Sequence, residues 1–354
     1  TGEVVGIMGG RNWASGGSML LDHATEQFNQ PGSTIKPVLE YALAFEDLGW
    51  ATSHTMVDKP VTYGNWTFNN IYNKSWGVVD LAKAVGLSLN TVAINTLQAV
   101  IDKSGVQRVT NYLTSLGFSQ FKPEQFDINY AIGGGSMQIS VAELAAAEAI
   151  LMNGGNYIKP HTINTIFYRN AQKDPYVAPT TGTSVLSPQA AYLASYLMRN
   201  AVEQNWGNYM YAIRKGYPVY GKTGTTDWGD SGLEYGIPAG AAKDEWMVGQ
   251  TTQFTITVWT GYDKTIAGSE TYLTDWKLNM NIPGAIISNV LDTLEGIYGT
   301  PGELAMPDGI SKITHIKGLY PYVAPDDTIP SDYVSTGLVK TEYAKLGTYT
   351  NLIT

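Results

Sequence analysis

The chain of 354 residues contains no cysteine. That absence excludes disulfides, thiolate nucleophiles and zinc sites built on sulfur. Histidine is scarce. His23, His54, His161 and His315 stand alone, with no HxH or HExxH spacing. No metal or other cofactor is expected, and each histidine is expected at the surface or at a cap. Charge is also thin, at 15% of residues, with 22 Lys and Arg against 31 Asp and Glu and a net charge of -9. No basic patch with interleaved aromatics is found, so nucleic acid is set aside as a partner. No apolar run reaches the length of about 18 residues that a membrane-spanning helix needs. There is no GxSxG, which disfavours a Ser-His-Asp hydrolase, and no internal repeat. The first residue is Thr1, not methionine, and GEVVGIMGG reads as the first strand of a sheet. The chain is therefore expected to be an excised portion of a longer protein, with any signal, anchor or preceding domain outside it.

What is present is a globular composition, 44% hydrophobic, with a change of character along the chain. Residues 3–9 are strand-like, and 10–29 form a Gly- and Ser-rich loop. A helix runs from about 33 to 48 and stops at Gly49, with Ile35, Val38, Leu39, Ala42 and Leu43 at helical spacing. Residues 51–76 are loop-rich. Residues 78–152 are mainly helical, and SPQAAYLASYLMRNAVEQ at 187–204 is another helix. YPVYGKTGTT, DEWMVGQTT and FTITVWTGYD then read as consecutive antiparallel strands. A last helix spans 283–298, and 301–354 is expected to be weakly structured or a small β-type appendage. This order predicts an α+β fold, an antiparallel sheet flanked by helices with an inserted helical subdomain at about 50–185. The first strand must then join the late ones, which brings residues near 33 and near 222 together.

Three motifs carry chemistry. Ser33 and Lys36 are one helical turn apart, on one face. A serine hydroxyl needs a base to act as a nucleophile. A lysine can serve if it is neutral, although it ordinarily titrates near about pH 10.4. Burial or a second cation nearby lowers that value, and a helix N-terminus favours developing negative charge. Ser33 could equally be a helix cap with Lys36 reaching water, so SxxK alone decides little. Ser88 and Asn90, in GLSLNTVA, could cap the next helix. As a site, Ser88 would relay a proton and Asn90 would hold a substrate amide with its donor and its acceptor. Lys222, Thr223, Gly224 and Thr225 lie in YGKTGTTDWGD. A glycine inside a strand marks close approach by another backbone or a ligand, and a substrate could pair along the strand edge. SxxK, SxN and KTG in this order form a known triple of penicillin-recognising enzymes.

With those residues, the chain resembles the transpeptidase domain of class A (bifunctional) penicillin-binding proteins over residues 1 to about 265. TGEVVGIMGG, ATEQFNQPGSTIKP, GVVDLAKAVGLSLNTVAI, AELAAAEAILMNGGNYIKP, GKTGTTDWG and KDEWMVGQTTQFTITVWTGYD carry the likeness. The resemblance implies a five-stranded antiparallel sheet flanked by helices, the fold shared with serine β-lactamases. It implies a transpeptidase domain over 1–300 and an appendage over 301–354. It implies cross-linking of peptidoglycan stem peptides ending in D-Ala-D-Ala through an acyl-enzyme on Ser33, with β-lactams as covalent inhibitors. Carried over from the family, Lys36 would take the serine proton. Ser88 would pass a proton to the leaving group beside Lys222, which would also help keep Lys36 neutral. Asn90 would bind the donor amide and orient Lys36. Thr223, Gly224 and Thr225 would line the donor site, the two threonines binding its carboxylate. The backbone N–H groups of Ser33 and Thr225 would form the oxyanion hole. Asp227, Trp228 and Trp246 are expected at the cleft wall, Trp246 equally in the core. A glycosyltransferase domain and a membrane anchor, both outside this chain, and an extracytoplasmic position at the bacterial plasma membrane are implied. Asn29 departs from the pattern, where a basic residue is expected.

Three alternatives stay open. A serine β-lactamase would need a base for deacylation, and no ExxLN-like loop lies between the second and third motifs. A D,D-carboxypeptidase or class B transpeptidase on the same fold differs in acceptor, which motifs do not reveal. A non-catalytic β-lactam- or wall-binding module would not require the intact set of site residues.

Overall fold

The computed structural model describes residues 1–11, 20–170, 172–206 and 209–348. The Gly- and Ser-rich stretch 12–19 and the final residues 349–354 lie outside them. The helix expected near 33–48 spans 32–48, and its winding is unusual. Gly32–Ile35 is a 3-10 turn, while Pro37–Tyr41 and Ala44–Leu48 have π pitch. Pro37 has no N–H to donate, and Tyr41 N reaches back five residues to Lys36 O at 3.3 Å. Wide turns of this kind are concentrated at functional sites. The helix is not amphipathic. Ile35, Val38, Leu39, Tyr41, Ala42, Leu43, Ala44 and Phe45 are all fully buried, so it is the central element of the core rather than a surface helix. Gly49, at φ 67°, ends it in the left-handed conformation that glycine adopts without strain.

Strands β1 (Thr55–Asp58), β2 (Val61–Tyr63), β3 (Trp66–Phe68) and β4 (Gly77–Asp80) follow, paired β1 with β4 and β2 with β3. Helices α1 (Leu81–Gly86), α2 (Asn90–Ser104), α3 (Val106–Ser115) and α4 (Val141–Met152) come next. The short strands β5 (Asn156–Tyr157), β6 (Thr165–Ile166), β7 (Tyr176–Val177) and β8 (Thr183–Ser184) pair as β5 with β8 and β6 with β7. The stretch expected to be all-helical thus also holds β ribbons, because runs such as TMVD, VTY and WTF are β-branched and aromatic and too short for a helix.

Helix α5 (Pro188–Glu203) leads to the sheet. Its strands are β9 (Tyr220–Thr226), β10 (Asp244–Gln250) and β11 (Thr255–Gly261), antiparallel in the order β11-β10-β9. Helices α6 (Asp275–Asn279) and α7 (Ile282–Tyr298) follow, with α7 packed on β10 and β11. The 32–48 helix and α4 pack against the same sheet, so helices flank it as expected. Five strands were expected, and three form among the described residues. The segment expected to supply the first strand makes one parallel bridge, Glu3 to His161, and leaves Val5, Ile7 and Met8 exposed.

The C-terminal segment is better packed than its composition suggests. Strands β12 (Ile310–Ile316) and β14 (Val334–Lys340) pair antiparallel, and β13 (Val323–Ala324) and β15 (Gly347–Thr348) pair in parallel. They close over the chain that leaves the 32–48 helix. Ala51, Ile313, Tyr322 and Val339 form a small apolar cluster there. Tyr322 Oη accepts from Ala51 N at 2.7 Å, and Ser53 Oγ lies 2.8 Å from His315 Nε2. His315 is buried and His54 is largely covered by Trp50, Tyr320 and Tyr322. These two histidines are not the surface residues that isolated spacing suggested. Composition cannot tell an interface histidine from a solvated one.

Candidate active site

Each motif is held by a different element. Ser33 lies inside the 3-10 turn Gly32–Ile35, not at its cap, which is Pro31. Lys36 follows one turn later and is fully buried. Ser88 lies between α1 and α2, and Asn90 is the first residue of α2. The N-cap of α2 is Leu89, which offers no side-chain hydrogen bond, so neither Ser88 nor Asn90 is spent on capping. Ser88 has φ 56°, a left-handed conformation that costs a residue with a Cβ on the order of 1 kcal/mol. Lys222, Thr223, Gly224 and Thr225 lie in β9, an edge strand.

Hydrogen bonds join the three motifs. Lys36 Nζ donates to Ser88 O at 2.8 Å and to Asn90 Oδ1 at 2.8 Å. Lys222 Nζ donates to Ser88 Oγ at 2.8 Å and to Thr223 O at 2.9 Å. Ser88 therefore bridges both lysines, its carbonyl to one and its hydroxyl to the other. Its unusual φ is the conformation in which both bonds are made. A neutral amine has two N–H donors and one lone pair. With both donors of Lys36 taken by Ser88 O and Asn90 Oδ1, the lone pair is what remains.

Burial brings Lys36 down to about 7, partly opposed by the carboxyl of Glu40. Near neutral pH the free amine is then accessible, as it is not for an ordinary lysine. Lys222 is pushed well below the ordinary lysine value, first by burial and then by the charge of Lys36, with Glu40 and Glu148 opposing. Burial and a nearby cation were both expected to keep Lys36 neutral. Burial is the larger cause for both lysines, and the repulsion between them disfavours charging both. The sequence reading missed Glu40 and Glu148. Both are fully buried, and among the described residues no other residue hydrogen-bonds to either carboxyl. Burial pushes both well above the ordinary carboxylate range. The signal available in the sequence was Glu40 itself, four residues after Lys36 on a helix that is otherwise apolar.

The strand edge supplies the backbone. Lys243 N donates to Thr226 O, so the polar groups of Thr226 face β10. In an antiparallel pair those of its neighbour, Thr225, face the opposite way, out of the free edge. Gly32 packs against that edge. A Cβ built on it would lie 3.1 Å from Thr225 N, and one built on Gly224 would lie 2.4 Å from Pro31 O. These two glycines let the serine-bearing turn and β9 meet backbone to backbone. Thr225 is exposed and Thr223 half-buried. Trp246 is 1% exposed and belongs to the core, whereas Trp228 lies beyond β9 and donates from Nε1 to Thr265 Oγ1 at 3.1 Å.

A fold of helices on an antiparallel sheet, with serine and lysine facing a KTG strand, matches the family model described as the penicillin binding protein transpeptidase domain, over residues 1–265. The chain belongs to that family. Its relatives place it among the class A members. It is 31% identical over 336 residues to penicillin-binding protein 1A/1B of Bacillus subtilis, covering 94% of this chain and 35% of the relative. It is 29% identical over 270 residues to penicillin-binding protein 1A of Streptococcus pneumoniae, covering 74% of this chain and 36% of the relative. The chain thus spans about a third of the length of these curated relatives. Among solved structures, penicillin-binding protein 1A of Haemophilus influenzae is similar with a TM-score of 0.67 at 21% identity, over 93% of this chain and 50% of that one. The PonA1 protein of Mycobacterium tuberculosis, solved with penicillin V, is similar with a TM-score of 0.63 at 22% identity, over 82% of this chain and 74% of that one.

Proposed function

We propose that this chain is a serine D,D-transpeptidase that cross-links peptidoglycan stem peptides and is acylated by β-lactams. The observation that carries the reading is the state of Lys36: buried, brought to about 7, and with both donors of its free amine engaged. Its lone pair is then available to take the proton of Ser33 Oγ. The oxygen attacks the carbonyl carbon of the penultimate D-alanine. The oxyanion that forms is held by the N–H groups of Ser33 and Thr225, an arrangement worth roughly 3–4 kcal/mol per donor in other enzymes. Ser88 gives its hydroxyl proton to the departing amide nitrogen and is resupplied across its contact with Lys222. The C–N bond breaks, terminal D-alanine leaves as an amine, and an ester on Ser33 remains. An amine of a second stem peptide attacks that ester and loses its extra proton through Ser88 to Lys222, which restores the proton that pair supplied to the leaving group. The C–O bond breaks, and the proton held by Lys36 returns to Ser33 Oγ. Asn90 orients Lys36 and offers its remaining amide capacity to the donor strand, while Thr223 and Thr225 bind the donor carboxylate. No step calls for a metal or cofactor. In the whole protein, a glycosyltransferase domain and a membrane anchor at the extracytoplasmic face of the plasma membrane would complete the assembly. No helix among the described residues is long and apolar enough to cross a membrane.

The test is intact mass after incubation with a penicillin, for the parent chain and Ser33→Ala. A one-to-one adduct mapping to Ser33, lasting hours and absent in the variant, supports the reading. Drug consumption without an accumulating adduct would identify a β-lactamase. Neither adduct nor turnover would leave a binding role.

A further inference from the structure

We propose that Asp58 and Asn70, two residues outside the three motifs, are positioning residues for acylation: they fix Asn90 and, through it, the amine of Lys36. The inference rests on the acyltransferase reading of Ser33 and Lys36. Helix α2 begins at Asn90 without a side-chain cap from its own N-cap residue, Leu89. The cap comes instead from the loop after β3. Asn70 Oδ1 accepts from Asn90 N at 2.8 Å and from Thr91 N at 3.3 Å, two of the first N–H groups of the helix. Asn70 Nδ2 in turn donates to Asp58 Oδ1 at 2.6 Å and to Lys74 O at 3.1 Å, so the amide has one orientation. Asp58, at the end of β1, is 1% exposed. Its carboxylate also accepts from Thr91 Oγ1 and from Trp76 N, the latter at 2.7 Å. The neighbouring Asn69 O accepts from Asn90 Nδ2 at 3.2 Å. That bond leaves Oδ1 of Asn90 turned to Lys36 Nζ, 2.8 Å away.

A continuous path therefore runs from Asp58 through Asn70 and Asn90 to the base, each link a short hydrogen bond. An amide such as Asn90 presents a donor on one side and an acceptor on the other. If it turned over, it would aim N–H at an N–H of Lys36 and release the amine from its position. The Asn69–Asn70 loop prevents that turn by holding both the backbone and the side chain of Asn90. Misplacement of a base by about 1 Å costs up to about a hundredfold in rate.

The experiment measures acylation by a fluorescent penicillin, resolved into the reversible binding constant and the first-order acylation rate per active site. The variants are Asn70→Ala, Asn70→Asp and the exchange pair Asp58→Asn with Asn70→Asp. Asn70→Ala should slow the acylation step between about tenfold and a hundredfold, with reversible binding changed less than about twofold. Asn70→Asp alone sets two carboxylates against each other and should be at least as slow. The exchange pair puts the amide at 58 and the carboxylate at 70, restores a donor between them and keeps an acceptor at the start of α2. It should recover most of the rate, a coupling that simple loss of stability does not produce. The inference is overturned if Asn70→Ala acylates within about twofold of the parent. It is also overturned if the loss is only a smaller active fraction with the rate per site unchanged, or if the exchange pair restores thermal stability and not the rate. A parent chain that takes no penicillin overturns the acyltransferase reading, and this inference with it.

Discussion

Glu40 gives the sharpest test of how the buried charges are arranged. It lies four residues after Lys36 on the same helix, and among the described residues no other residue hydrogen-bonds to its carboxyl. The titratable groups that bear on it are Lys36 and Lys222, which favour its ionised form. Its own charge in turn acts on Tyr41, which Asp58 also faces. Glu148 reaches the same set through Lys222. Replacing Glu40 with glutamine keeps the shape and removes the anion. Neighbours at this helical spacing are about 6 Å apart. Two unit charges at that distance, at an effective dielectric constant of about 20, interact by about 3 kcal/mol, equivalent to about two pH units. When ionised, Glu40 stabilises the charged form of Lys36, so its removal lowers the value from about 7. Burial pushes Glu40 well above the ordinary carboxylate range, so the anion is present only towards the upper part of the rising limb of the acylation rate against pH. That part of the limb should therefore move down by at most about one to two units. Glu40→Gln should be faster than the parent near neutral pH, close to it at the acid end, where Glu40 carries a proton, and close to it again above about pH 8, where both amines are free. The assay is the second-order rate of acylation by a fluorescent penicillin from about pH 5 to 9. A limb that stays in place would mean that Glu40 carries a proton throughout. A limb that moves up would refute the assignment of Lys36 as the base.

Gly224→Ala should abolish acylation and lower the melting temperature. The new Cβ would lie 2.4 Å from Pro31 O, a backbone atom, and overpacking of this kind costs about 1–3 kcal/mol or more. An active, unperturbed Gly224→Ala protein would show that β9 and the serine turn do not touch as described. Tyr322→Phe should cost about 1–3 kcal/mol in denaturant unfolding, because Ala51 N–H is left buried without its acceptor. Burial lowers His54 from 6.5 to about 3, with the charge of His315 adding to the effect. The unfolded chain then binds the proton first as pH falls. The stability contributed is complete above about pH 6.5 and is lost progressively towards pH 3, with about 2 kcal/mol gone by pH 5. Chemical unfolding at pH 7.5 and pH 5 should show that loss, and His54→Gln should reduce it.

Much of the architecture was legible along the chain because local pattern and tertiary environment agree. Helices α2, α4, α5 and α7 end near glycines or begin at serine or proline, and their apolar spacing is what burial requires. Strands β9 to β11 are bounded by turn residues and pair in chain order. The 32–48 helix was placed to within a residue, but its π winding and all-round burial were not foreseen. Periodicity reports which residues are apolar and not how many neighbours surround them. The segment 3–9 carries strand-forming residues but makes only the single bridge of Glu3 to His161, since pairing depends on a partner edge elsewhere in the chain.

Order and residue type alone singled out the candidate side chains. A serine and a lysine three apart, a serine and an asparagine two apart, and Lys-Thr-Gly in a strand are local facts. Only the tertiary structure decided how they are arranged. It places Ser88 between the two lysines, turns the N–H of Thr225 to the free edge, and buries Glu40 and Glu148 against Lys36 and Lys222. It also draws Asp58 and Asn70 in behind Asn90. The physical reason is that a lysine's protonation depends on desolvation and on charges brought near it by folding. Neither quantity is carried by any short stretch of sequence.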